Sequence, residues 1–172
     1  ASHVSKRFGN TISEIKNDKI EIDKIIPTSL DKIPVPSIST LTAEIINGMG
    51  KALEEDRPNL CILLGDRYET LGAALACHLN KIPIAHIHGG EVTLGAIDDK
   101  LRHAISQLST WHFTAAEEYR KRVIDMGHDD NKVFIVGPLA IDGLANMKYI
   151  NRKKFSSETG YKFASKNIII TY

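Results

Sequence analysis

Three polar turns follow apolar runs in this 172-residue sequence, and two of them hold side chains able to do chemistry. Gly65-Asp66-Arg67 follows Leu60–Leu64, His88-Gly89-Gly90-Glu91 follows Ile82–Ile87, and Gly137-Pro138 follows Lys132–Val136. In an open α/β sheet such turns gather outside the carboxyl ends of the strands. A further group, Asp98, Asp99, Arg102 and His103, comes shortly after Glu91. Carboxylates, imidazoles and arginines in one cleft can move protons and hold a phosphate, which suits elimination, addition or hydrolysis at carbon–oxygen bonds.

Each residue also has a plainer reading. Asp66 is either a site acid or the N-cap of the helix that follows, and Arg67 either binds a phosphate or pairs with a neighbouring carboxylate. His86 and His88 share one strand face at i,i+2. His86 reads as a core or turn residue, and His88, beside two glycines at the strand exit, as ligand-facing. Without HExxH or a cysteine cluster, the pair is not expected to bind a metal. Asp98 and Arg102 are i,i+4 on one helix face, so the arginine can hold that carboxylate, in a site or as a surface pair. Asp99 is turned about 100° away, and His103 can face either side. No GxGxxG follows a strand, and GxxxxGK[ST] and GxSxG are absent, so no conventional nicotinamide, P-loop or nucleophile-elbow site is expected.

The elements that must position these residues follow from periodicity. Leu60–Leu64, a helix over Tyr68–Leu79 and Ile82–Ile87 read as strand, helix, strand, the grammar of a parallel sheet. In that helix Tyr68, Leu71, Leu75 and Leu79 form the apolar stripe, and Gly72, Ala73, Ala74 and Ala76 allow close approach to a sheet. Asp98–Leu108 is predicted helical with Leu101, Ala104, Ile105 and Leu108 inward and Arg102 outward. Trp111–Thr114 reads as a strand. Ala115–Met126 is predicted to be a charged helix with Glu117–Lys121 and Glu118–Arg122 pairs. Lys132–Val136 is a further strand, and Leu139–Met147 a further helix. Upstream, Thr11–Lys16 is a short helix, Lys19–Ile25 alternates weakly as a strand, and a helix to about Asp56 is capped by Ser37, Ser39 or Thr40, with Ile38, Leu41, Ile45, Ile46, Met49 and Leu53 inward.

The composition, 42% hydrophobic and 25% charged with a net charge of +1, is that of an ordinary globular protein and gives no electrostatic reason for a nucleic-acid or membrane partner. Cys61 and Cys77 fall in apolar segments and read as free thiols in a reducing, cytoplasmic compartment. The ends predict an excerpt of a longer protein: residues 1–150 as a partial N-terminal Rossmann-like domain, 151–166 as a linker, and 167–172 as the first strand of a second, nucleotide-binding domain.

Four segments, LLGDRYETLGAALA, PIAHIHGGEVTLGAIDDKLRHAISQLSTWHF, TAAEEYRKRVIDMG and KVFIVG, together resemble the UDP-N-acetylglucosamine 2-epimerases, most of all the hydrolysing branch that feeds sialic acid and related nonulosonate synthesis. The resemblance implies a Rossmann-like parallel sheet with helices on both faces, the N-terminal half of a GT-B-type two-domain enzyme. It implies removal of the C2 proton of UDP-GlcNAc, expulsion of UDP to give 2-acetamidoglucal, and addition of water to release N-acetylmannosamine. It implies no cofactor and no metal, a UDP-sugar as partner, and a homo-oligomeric full-length enzyme, with the excerpt alone inactive. Asp66 matches the family's acidic residue, and Asp98 or Asp99 with Arg102 its acid–arginine helix pair. At His88 many relatives carry glutamate, so the proton-transfer role falls to His88 or to Glu91. Substrate contacts are expected from Arg67, Gly89, Gly90, Arg102 and His103, and from Lys6 and Arg7 in SHVSKRFGNT, which resembles the family's loop after its second strand. The alternatives are a non-hydrolysing 2-epimerase, a GT-B glycosyltransferase and a non-catalytic sugar-nucleotide binding module.

Overall fold

The computed structural model describes residues 2–145 and 147–170, in two compact units, Ala1–Pro138 and Leu139–Tyr172. The first unit runs α1 (Ile12–Asn17), α2 (Ile38–Glu55), β1 (Cys61–Leu64), α3 (Tyr68–Leu79), β2 (Ile84–Ile87), α4 (Ile97–Leu108), β3 (Trp111–Thr114), α5 (Glu117–Asp125) and β4 (Val133–Ile135). The four strands form one parallel sheet in the order β1-β2-β3-β4. Each neighbour is reached through a helix, as a parallel pair requires. The parallel α/β class expected from the sequence is what forms.

Register aligns Leu63, His86, His112 and Val133 across one face. All four are buried there. Leu63 and Ile84 join Leu53 of α2, Ala74, Ala76 and Cys77 of α3 and Ile105 of α4 in the core. The opposite face bears Leu60, Ile62, Ala85, Trp111, Phe113 and Phe134 around an apolar hollow.

Helix α2 begins at Ser37, whose hydroxyl accepts the Thr40 N–H, so Ser37 is the cap among the three candidates. Leu41, Ile45 and Leu53 are buried as expected, but Ile38 in the first turn is exposed. Helix α3 departs further from expectation. Its buried residues are Gly72, Ala74, Ala76 and Cys77, while Leu79 is 72% exposed. A Cβ on Gly72 would stand 3.0 Å from Ile45 Cγ2 and 3.3 Å from the Thr42 carbonyl oxygen. The small residues therefore serve close packing of α3 on α2 as well as on the sheet. Size, not hydrophobicity, selects that face.

Lys19–Ile25 does not form the expected strand. Lys24 pairs with Glu55, and Ile26 packs beside Gly48, so the segment lies along α2. A helix surface offers no strand edge to pair with, and weak alternation cannot make a strand without one. On α5 the Glu118–Arg122 pair forms at 2.8 Å, but Glu117 meets Arg120 at 3.5 Å instead of Lys121.

The second unit holds α6 (Leu139–Ala145) and α7 (Arg152–Thr159), the latter capped by Asn151 and ended by left-handed Gly160. Phe155, Tyr161 and Phe163 pack together, with the Arg152 guanidinium over the Phe163 ring. Asn167–Ile170 has no strand pairing, and Thr171 and Tyr172 lie outside the described residues.

Candidate functional site

The site is assembled by Arg102, which the sequence suggested would point outward. Arg102, Ile105 and Ser106 are instead the buried stripe of α4, and Arg102 is only 5% exposed. Its Nη2 donates to Asp66 Oδ2 in the turn after β1, and to Thr93 Oγ1 at 3.2 Å. Its Nη1 lies 3.9 Å from Asp99 Oδ1 and has no hydrogen-bond acceptor among the described residues. The expected Asp98–Arg102 pair is thus corrected: the arginine goes to Asp66, with Asp99 beside it. A guanidinium buried on the sheet side of α4 needs an anion there, and the β1–α3 turn supplies one.

This use of Asp66 also decides its alternative reading. Helix α3 starts from Arg67 with no side-chain cap, so Asp66 is not a cap. Asp99 accepts the Thr93 N–H at 2.9 Å, and this hydrogen bond, helped by nearby His103 and Arg102, holds its carboxyl below the usual range. It thereby ties the loop after Glu91 to α4. His103 Nε2 is 4.0 Å from Asp99 Oδ2, which turns His103 toward the cluster. Asp98 is half-buried. Arg67 is exposed, and its guanidinium grips Glu69 through Nε at 3.1 Å and Nη2 at 3.2 Å. That contact raises its pKa, with the Asp98 charge as a lesser cause.

A second cluster follows β2. His88 Nδ1 lies 2.6 Å from Glu91 Oε1, with both side chains partly exposed. The two residues set as alternatives for one role are therefore in contact. Gly89 and Gly90, expected to face substrate, are both buried. A Cβ on Gly89 would sit 2.9 Å from Ser106 Oγ and 3.0 Å from His86 Nδ1, and one on Gly90 would strike the Tyr119 carbonyl oxygen and approach Val123 Cγ2 to 3.0 Å. The need for glycine there comes from packing, and the Gly90 carbonyl is held by Arg122.

Between the clusters lies His86, fully buried. Its Nε2–H donates to the Gly65 carbonyl at 2.8 Å, so Nδ1 accepts from the Ser106 hydroxyl at 3.1 Å. Burial pushes its pKa down to about 4, with smaller opposing effects from the Gly65 carbonyl and the nearby Asp66 charge, and lowering ones from Arg102 and His88. The core role expected for His86 is correct, but this neutral ring also pins the turn that carries Asp66.

Lys6 and Arg7 are not brought to this edge by any contact among the described residues. The Ser5 hydroxyl and Lys6 N–H bind Asp31 instead. Sequence reasoning did not single out Thr93, Ser106 or the His112–His128 pair, whose Nε2 and Nδ1 lie 3.1 Å apart. Burial pushes His112 down to about 3 and lowers His128. His86 on β2 and His112 on β3 are register partners, a signal readable only once the strands are paired. Among the described residues no three His, Cys, Asp or Glu side chains are grouped to hold a metal, and no helix is long and apolar enough to cross a membrane. The site thus offers an ion-paired carboxylate at one turn and an imidazole–carboxylate pair at the next.

A family model described as UDP-N-acetylglucosamine 2-epimerase matches residues 1–172. The chain is 37% identical over 171 residues to the GDP/UDP-N,N'-diacetylbacillosamine 2-epimerase (hydrolyzing) of Campylobacter jejuni, covering 99% of this chain and 44% of that protein. It is also 37% identical to the UDP-N,N'-diacetylbacillosamine 2-epimerase (hydrolyzing) of Legionella pneumophila, covering 99% and 45%. Among solved structures it is similar to the UDP-GlcNAc 2-epimerase of Neisseria meningitidis bound to UDP-GlcNAc, with a TM-score of 0.69 and 26% identity over 78% of this chain and 37% of that one. The chain spans less than half the length of the curated relatives it matches.

Proposed function

Because this chain belongs to the UDP-N-acetylglucosamine 2-epimerase family, we propose that it carries acid–base groups for hydrolysing 2-epimerisation of a UDP-linked 2-acetamido sugar. Elimination of UDP gives a glycal, and addition of water releases the free C2-inverted sugar. UDP-GlcNAc and its N,N'-diacetylated relative are the substrates to compare, since the two relatives at 37% identity are named for the latter.

One observation carries the reading: two acid–base units stand at adjacent strand exits, Asp66–Arg102–Asp99 after β1 and His88–Glu91 after β2. Inversion at C2 takes a proton from one face of the sugar carbon and returns one to the other. A single group on one side cannot do both, so two units suit the reaction. A glycosyltransferase needs no C2 base. A binding module would lose affinity by placing acids near a diphosphate.

Arg67, Arg102 and His103 are assigned to substrate contact, directly or by holding carboxylates, and Asp98 with Asp99 to the α4 side of the cleft. The two free cysteines suit a reducing cytoplasm, and a homo-oligomer is the expected assembly.

The test is incubation of the full-length enzyme with each UDP-sugar in deuterated water. The expected product is free C2-inverted sugar with deuterium at C2, plus UDP. UDP-linked epimer would instead indicate the non-hydrolysing reaction, and protium retained at C2 would rule out epimerisation. Asp66→Asn is expected to lower turnover about 10²-fold, the scale of a lost acid–base group; near-normal turnover would remove Asp66 from the chemistry.

A further inference from the structure

We infer that Glu91 is a positioning residue for His88: it holds the ring's Nδ1–H, so that Nε2 is the atom that exchanges a proton with the sugar. The inference rests on the epimerase reading and divides a role that could have fallen to either residue.

The tautomer follows from the contact. A carboxylate oxygen only accepts, so His88 Nδ1 must donate across the 2.6 Å to Glu91 Oε1. The lone pair of the neutral ring is then on Nε2.

The backbone gives an independent argument. Leu64 pairs with Ile87 in the β1–β2 register. Immediately after that pair, Gly65 at φ +86° and His88 at φ +64° both take left-handed backbone. Glycine takes a left-handed φ without penalty, whereas histidine does not. Strain of this kind persists where surrounding structure over-determines it, and it gathers at functional sites. The surroundings here do so. The His88 N–H donates to the Phe113 carbonyl at 2.9 Å. Gly89 and Gly90 are wedged against His86, Ser106, Tyr119 and Val123. Glu91 therefore returns to the ring from a fixed turn, and no such constraint would be needed merely to fasten a loop.

In the elimination, the Nε2 lone pair takes the C2 proton. The C2–H electron pair becomes the C1=C2 double bond, and the C1–O pair leaves on the UDP phosphate oxygen. The imidazolium so formed faces the Glu91 carboxylate. In the hydration a water gives its hydroxide to C1 and its proton, relayed through the Asp66 carboxylate that Arg102 engages, to the opposite face of C2, and the His88 imidazolium returns its proton to solvent.

The experiment uses the full-length enzyme with Glu91→Gln, His88→Gln and the double variant, with steady-state kinetics and 15N–1H imidazole correlation spectra. For Glu91→Gln the expected result is a fall in kcat of about 10²-fold with KM unchanged within about threefold. His88→Gln should lose at least as much, and the double variant should be no worse than His88→Gln by more than about threefold. The spectrum of the wild type should show His88 protonated at Nδ1, and Glu91→Gln should lose that single tautomer. The dyad is overturned if Glu91→Gln acts on KM alone, if the two losses multiply, or if wild-type His88 carries its proton on Nε2. A wild type without turnover on any UDP-sugar would sink the epimerase reading and the catalytic role together. The kinetic and tautomer results in an active wild type would sink the dyad alone.

Discussion

Replacing Arg102 with methionine keeps most of its volume and removes its charge, and the structure sets the size of the effect. The guanidinium side chain is 7% exposed, and the Asp66 side chain it binds is 25% exposed. Two unit charges about 4 Å apart at an effective dielectric of about 20 attract by about 4 kcal/mol. Asp66 keeps some water, so the net loss should be about 3 kcal/mol, the lower end of what removing one partner of a buried pair costs. The lost hydrogen bond to Thr93 Oγ1 adds about 1 kcal/mol. In a chain of this size the sum corresponds to a fall in Tm of about 10 °C. Urea denaturation followed by circular dichroism measures it directly. Asp66→Asn in the Arg102→Met background removes the carboxylate left without a cation, so the double variant should be more stable than the sum of singles by about 1–2 kcal/mol. The reasoning fails if Arg102→Met costs under about 1 kcal/mol, or if the two substitutions add within about 0.5 kcal/mol. Either result would mean that α4 does not latch the turn bearing Asp66.

Two other outcomes follow from packing and titration. Both His86 and His112 are held below their ordinary value, at about 4 and about 3. The unfolded chain therefore binds more protons than the folded one below about pH 6.5, and stability that is full above that pH should decline toward pH 4 by about 1.4 kcal/mol per pH unit per histidine. Urea midpoints measured from pH 7.5 to 4 check this, and His86→Asn should flatten the slope by one proton; an unchanged slope would show that His86 is protonated in the fold. Gly90→Ala would place a methyl against the Tyr119 carbonyl and Val123 at a φ of +79°, which should cost about 3 kcal/mol from the left-handed backbone and overpacking together. Gly50→Ala, which meets nothing within 4 Å inside α2, should be neutral or stabilising when the two variants are compared by thermal melts.

How much could be read in advance depends on how far apart the interacting residues are. The strand and helix order was legible because periodicity is a local property. Trp111–Thr114 and Tyr68–Leu79 emerge with the bounds their patterns predicted, and the turns at Asp66 and His88 fall at strand exits on one sheet. Local alternation misled at Lys19–Ile25, which lies along a helix, and at Leu79, where a leucine at helical spacing faces outward. In neither case did the short pattern carry information about what lies across from it.

The sequence by itself therefore determined the parallel α/β order, the acid–base inventory and its gathering at one edge. Only the tertiary structure decided which charges pair. Arg102 chose Asp66, 36 residues away, over Asp98 on its own helix, because folding turned the guanidinium inward, where desolvation demands an anion within reach. The same crossing of chains made His86 a neutral buried strut and set Glu91 on His88, since hydrogen bonds are chosen by proximity in space and by the cost of leaving a buried donor alone.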